Sequence, residues 1–178
     1  MKTKTISMQK TLWLALASLI AVALAVGLPQ ACHLIVRWTG LGTGLGEMLL
    51  PMHLPVMLVG FVAGPVAGVA AGLISPLLSY ALTGMPLATM VPFMMVELAV
   101  YGLCAGLLSR SSMPCTVKVL LTQVAGRAAR AVALVVAAYG LGLTTPPMTI
   151  IWTSIVTGVA GILIQLLLIP QVMHLVKR

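Results

Sequence analysis

Acidic side chains are scarce in this chain. Its 178 residues hold two aspartates or glutamates against 10 lysines and arginines, and charge of either sign makes up only 7%. No paired carboxylates fall inside an apolar segment, which removes the usual acid–base couple. Cysteine is sparse as well: Cys32, Cys104 and Cys115 are odd in number and lack paired metal spacing, so neither a disulfide framework nor a zinc site is supported. They read as ordinary small apolar residues. No G-x-x-x-x-G-K-[ST] occurs, and the run Gly42-Thr43-Gly44-Leu45-Gly46 has neither the lysine nor the strand–helix setting of a phosphate loop. The chain therefore does not hydrolyse ATP by itself. H-E-x-x-H is missing too, and Ser75 and Ser79 have no evident histidine–acid relay. The sequence offers no catalytic residues, no metal site and no cofactor motif, and it does not read as an enzyme.

What is abundant is hydrocarbon. The chain is 61% hydrophobic with a mean hydropathy of +1.16, far above the roughly even apolar share of a soluble domain. A bilayer core about 30 Å thick needs roughly 20 apolar residues per helix, so this length gives about six spans with short connections. The expectation is an all-α integral membrane protein, a six-transmembrane-helix bundle forming a single domain over residues 1–178. The basic start followed by an apolar run resembles a signal peptide, yet residues 11–31 are long enough to span and no small-x-small site precedes a polar stretch. They are read as helix 1.

In a soluble protein a formal net charge of +8 would suggest nucleic acid. Here its position matters more. Lys2, Lys4 and Lys10 precede helix 1, Arg110 and Lys118 flank one connection, and Lys177 and Arg178 end the sequence. That distribution follows the positive-inside rule with both termini cytoplasmic and an even number of spans, and it implies no nucleic-acid partner.

Further spans are expected at about 50–64, which is short for a full crossing, then 66–82, 90–108, 116–139 and 148–173. The turn at Gly64-Pro65 must be tight. Connections 40–46, 83–87 and 140–147 face outside, and 109–114 faces the cytoplasm. Small residues at spacing four lie on one helix face and let another backbone approach closely. They occur at Ala17/Ala21/Ala25, Gly60/Gly64/Gly68/Gly72 and Ala125/Ala129/Ala133/Ala137. Packing inside the bundle accounts for the second and third, whereas the first is open between internal packing and docking to a partner subunit.

An ionisable group inside a span is costly unless it is paired or faces water, so the few present are the best functional clues. Glu97 shares a face with Met94 and Tyr101. In helix 5, Gln123, Arg127 and Arg130 fall at i, i+4 and i+7, a polar stripe that must face the interior. Glu97 can neutralise one arginine as an internal brace, but one carboxylate cannot fully pair two guanidiniums. The surplus charge suits a carboxylate, phosphate or polarised carbonyl on a substrate, or lipid headgroups if the stripe lies near the cytoplasmic surface. Helix 2 opens with prolines at 51 and 55, a pattern of a helix start or an irregular segment. His53 and Met57 share its face with Met52 adjacent, either as a histidine among packing methionines or as a ligand contact that His33 could join. His174, beside the basic end of the chain, reads as interfacial. Trp152, with Thr149/Thr153/Thr157, reads equally as interface belt or ligand-stacking wall.

Taken in order, these features resemble the S components of energy-coupling factor (ECF) transporters over nearly the whole chain, from Ala17 to helix 6. The most specific stretch is MLLPMHLPVMLVGFVAGPVAG, Met48 to Gly68, which is similar to the family's proline- and histidine-containing second helix and its Gly-Pro-x-x-Gly turn. Glu97-Leu-Ala-Val-Tyr-Gly102, Gly126-Arg127 and Ala17-x-x-x-Ala21 resemble its patterns in helices 4, 5 and 1. The resemblance implies a six-helix bundle in a bacterial or archaeal cell (inner) membrane that captures a vitamin or related micronutrient from outside. The ligand site is expected in the outer half of the bundle, among Glu97, Tyr101, His53, Arg130, Arg127, Trp152 and Met52. Helix 1, through Ala17, Ala21 and Ala25, would dock on a transmembrane coupling subunit driven by two cytoplasmic ATPases, and the bundle would topple to release cargo. Folate, pantothenate, pyridoxine, queuosine precursors and a haem-like cargo all fit this frame. The competing readings are a scaffold subunit that binds only protein and an autonomous transporter using Glu97 as proton carrier.

Overall fold

The computed structural model describes residues 2–39, 51–144 and 146–176, and every regular element among them is helical. The outer connection expected at 40–46 lies outside the described residues. Helix α1 covers Lys2–Thr39, α2 His53–Ala63, α3 Pro65–Thr83, α4 Val91–Leu108, α5 Cys115–Val135, α6 Ile150–Thr157 and α7 Val159–Val176. A π turn, Val136–Gly140, extends α5, and the Leu143 N–H closes it by donating to the Ala137 carbonyl at 3.0 Å.

Five segments are long and apolar enough to cross a membrane: 11–32, Pro65–Thr83, Val91–Leu108, Cys115–Gly140 and Ile150–Val176. The sixth expected span is different. Helix α2 has 11 residues, and at about 1.5 Å per residue it reaches only about half of a bilayer core. Its start is set by Pro51 and Pro55, since proline is tolerated in the first helical turn, where its missing N–H costs nothing. The expected six-helix bundle thus has five helices long enough to span and one short apolar helix among the described residues, at the segment whose length is short for a full crossing. The last span is also not one unbroken helix. It is interrupted at Gly158, whose N–H donates to the Ser154 carbonyl at 3.2 Å.

The turn between α2 and α3 is as tight as expected. Gly64, at φ +95°, alone separates the two helices, and Pro65 opens α3. A backbone in that region favours glycine. The glycines around it let α2, α3 and α4 touch backbone to backbone. A Cβ at Gly68 would strike the Gly102 backbone, one at Gly72 the Leu98 carbonyl, and one at Gly106 would strike Pro65. Helix α1 packs on α2 and α3, and Ala21 and Ala25 join Val56, Met57, Ala67, Leu98 and Tyr101 in the main core. A smaller cluster of Phe93, Leu134 and Ala137, with Ala133 and Met148 against it, ties α4 to α5 at the other end.

The connection between α4 and α5 has its own lock. Lys118 is buried and donates from Nζ to the carbonyls of Ser111 at 2.7 Å and Ser109 at 3.3 Å. Its charge meets the carbonyl-rich end of α4, where a cation is favourable.

Candidate functional site

Glu97 sits in the second turn of α4, 1% exposed, and is the only acidic residue among the described ones. Each of its oxygens has a partner. Tyr101, one turn on, donates its hydroxyl to Oε1 at 3.1 Å, and Arg130 on α5 donates from Nη1 to Oε2 at 3.0 Å. His53, at the start of α2, brings Nε2 to 3.7 Å from Oε1, just beyond hydrogen-bond reach, and sets its ring edge-on to Tyr101 with centroids 5.3 Å apart. The short second helix therefore delivers its first residue to a carboxylate inside the bundle.

Gly126 makes this geometry fit. A Cβ there would strike the Tyr101 ring, so the glycine makes room for the phenol against α5. Arg130 comes one turn after Gly126 and so reaches past the ring to the carboxylate. One turn before Arg127, Gln123 is buried and donates from Nε2 to Gln165 on α7 at 3.0 Å. The stripe predicted from the sequence does face inward. Only one of its arginines is braced by Glu97, however.

Arg127 goes elsewhere. Its Nη1 donates to the Ser154 carbonyl at 3.0 Å, in the last turn of α6 where that short helix breaks before Gly158. A helix C-terminus carries partial negative charge, which offsets a cation only in part. Arg127 Nε and Nη2, and Arg130 Nε, are buried without a hydrogen-bond partner among the described residues. Beside them lies a cavity of about 150 Å³, lined by Glu97, Arg127, Arg130, Leu134, Ile151 and Ser154.

Of the residues singled out in the sequence, Glu97, Arg127 and Arg130 meet at this cavity. Tyr101 and His53 stand behind Glu97 and position it. Met52 is buried in the main core rather than at the cavity, and Trp152 is 73% exposed on the outer surface of α6. Thr153 and Thr157 donate to the carbonyls of Thr149 and Thr153 along that exposed face. Ala21 and Ala25 are buried on the side of α1 that packs on α2 and α3, with Ala17 half-buried at the margin; their stripe is an internal contact in this structure. Three contributors escaped the sequence reading. Ser154 acts through its backbone, which no side-chain motif reveals, and Leu134 and Ile151 look like any other lipid-phase residues. Gly126 was visible as part of a motif, but its role as the seat of Tyr101 was not.

No curated relative and no solved structure matches this chain. The family described as ECF transporter, substrate-specific component, matches residues 12–173. A polytopic apolar fold with an internal charged cavity suits a protein that binds a solute within the membrane, and a component of that kind is not an enzyme. The chain belongs to the family of ECF transporter substrate-specific components.

Proposed function

We propose that this chain captures a vitamin or related micronutrient from outside a bacterial or archaeal cell and delivers it to an ATP-driven complex. The observation that carries this reading is Glu97, held by Tyr101 and Arg130 at the wall of a cavity whose second arginine has unpartnered donors. Such a convergence of polar groups in an apolar pocket orients a small ligand, and a low-dielectric setting strengthens each contact. With both termini cytoplasmic, α4 enters from outside at Val91, so that Glu97 lies in the outer half of the bundle. Cargo enters there.

Two cytoplasmic ATPases, acting through a transmembrane coupling subunit, supply the energy in this reading, since no nucleotide motif is present. Helix α1 is the docking element. The side it turns away from the bundle exposes Leu12, Leu16, Leu19 and Leu24, with Ala17 at its edge, while Ala21 and Ala25 lie beneath. Partner helices in a bilayer associate by close packing rather than by apolar burial, so the contact depends on shape.

Uptake in cells that express this chain with and without the coupling and ATPase subunits tests the reading. Uptake is expected only with the full complex and only while ATP is available. Accumulation by the chain alone, driven by a proton gradient, would instead establish the autonomous-transporter alternative.

A further inference from the structure

We infer that the cargo carries a single carboxylate and that Arg127 is the residue that receives it. This deepens the capture reading and rests on it. The first argument is charge balance. The cavity wall carries two guanidiniums and one carboxylate, and that carboxylate is already engaged by Arg130 at 3.0 Å and by the Tyr101 hydroxyl at 3.1 Å. Arg127 keeps a whole positive charge whose only hydrogen-bond acceptor among the described residues is the carbonyl of Ser154. An unpaired cation inside a membrane protein is costly. One monoanion cancels it.

The second argument is donor geometry. The guanidinium donates to Ser154 through Nη1, which leaves Nε and Nη2 without partners among the described residues. Those two nitrogens share one edge of the planar group, and their N–H bonds run parallel. That edge matches the two oxygens of a carboxylate side-on, the arrangement in which arginine binds this group most strongly. Arg130 Nε, also unpartnered, is a further donor nearby.

Size is the third argument. A cavity of about 150 Å³ has room for the acid end of a cargo. A phosphate monoester carries about −1.5 to −2 at neutral pH, more than the one surplus charge can balance. The site therefore selects carboxylate over phosphate.

The test uses the purified full chain in phosphatidylcholine nanodiscs, with thermal unfolding followed as benzoate, its neutral isostere benzamide, or inorganic phosphate is added. Benzoate should raise the midpoint in a saturable way, with benzamide and phosphate well behind. Arg127→Gln should weaken the benzoate response at least roughly tenfold, as expected when a charge-assisted hydrogen bond is lost. Arg127→Lys, which keeps the charge and loses the fork, should also weaken it, and it serves if the glutamine variant fails to fold. The inference is overturned if benzamide matches benzoate, if phosphate exceeds it, or if neither Arg127 variant changes the response. It is equally overturned if phosphatidylglycerol in the nanodisc produces an Arg127-dependent shift that benzoate does not add to, because a lipid headgroup then fills the site. A co-purifying cargo without an acid group would end the inference while leaving the capture reading intact.

Discussion

Arg130 and Arg127 lie three residues apart on α5, yet only Arg130 is answered by Glu97, the one carboxylate among the described residues. Arg130 donates to Glu97 at 3.0 Å, whereas Arg127 donates to the Ser154 carbonyl at 3.0 Å. Three positions set two side chains about 60° apart around an α-helix and about 4.5 Å apart along it, so from one inward stripe the two guanidiniums address different elements, α4 and α6. The site is thus a braced half joined to a half with spare donors.

Breaking the brace should cost stability as well as affinity. Glu97→Ala leaves Arg130 buried without its partner, and removing one member of a buried pair typically costs about 3–5 kcal/mol. Glu97→Gln keeps an acceptor for Tyr101 and should fall between. Thermal unfolding of the purified variants orders them. Equal midpoints for all three proteins would show that the pair does not hold α4 and α5 together.

Ligand affinity should track Arg130 in whichever variants remain folded. If Arg130 donates to cargo as well as to Glu97, Arg130→Ala should weaken binding by at least about 1.5–3 kcal/mol. Wild-type affinity in a folded Arg130→Ala protein would reduce this residue to an internal brace.

Trp152 gives the opposite expectation. Its ring is 73% exposed on the surface of α6, away from the cavity. Trp152→Ala should leave ligand affinity unchanged within error, and a loss of tenfold or more, worth about 1.4 kcal/mol, would mean that cargo reaches the outer face of α6.

The glycine contacts predict a sharp contrast between sites. Gly68→Ala forces a methyl group into the Gly102 backbone, which cannot swing aside as a side chain would, so destabilisation should reach at least the roughly 1–3 kcal/mol of an overpacked core. Gly27, in α1, has nothing within 4 Å of a Cβ. Gly27→Ala should be neutral or stabilising by up to about 1 kcal/mol through helix propensity. Similar unfolding midpoints for the two variants would contradict the backbone contact between α3 and α4.

Much of this architecture was legible because apolar length and proline position follow directly from bilayer physics. The spans at 66–82, 90–108 and 116–139 differ from α3, α4 and α5 with its π turn by one residue or so at each end. The Gly64-Pro65 turn was legible for the same reason, since few other residues permit it. The break at Gly158 was not, because a lone glycine in an apolar run gives no sign whether the helix continues. At the site, Glu97 and the arginine stripe stood out as charges where charge is costly. Which arginine Glu97 would pair with depends on how α5 rotates against α4, and that rotation is set by Gly126 under the Tyr101 ring. Ala21 and Ala25 show the converse limit: small residues at spacing four predict a close contact but not whether the other helix belongs to the same chain.

The alanine stripe is settled by a single substitution. Ala21 is 4% exposed in the main core, so Ala21→Trp should lower thermal stability and ligand binding together. A variant that stays stable and binds normally but no longer co-purifies with a coupling subunit would show instead that this face meets the partner.

In the capture reading, the cavity beside Glu97 holds a small-molecule cargo. Mass spectrometry of what the purified chain releases on denaturation, compared between wild type and a folded Glu97→Gln variant, tests it most directly. Wild type should release one small organic molecule in stoichiometric amount, and the variant markedly less. A cargo retained equally by both would contradict the placement of the site at Glu97, and wild-type protein that binds no small molecule from cell extract would contradict the capture reading itself.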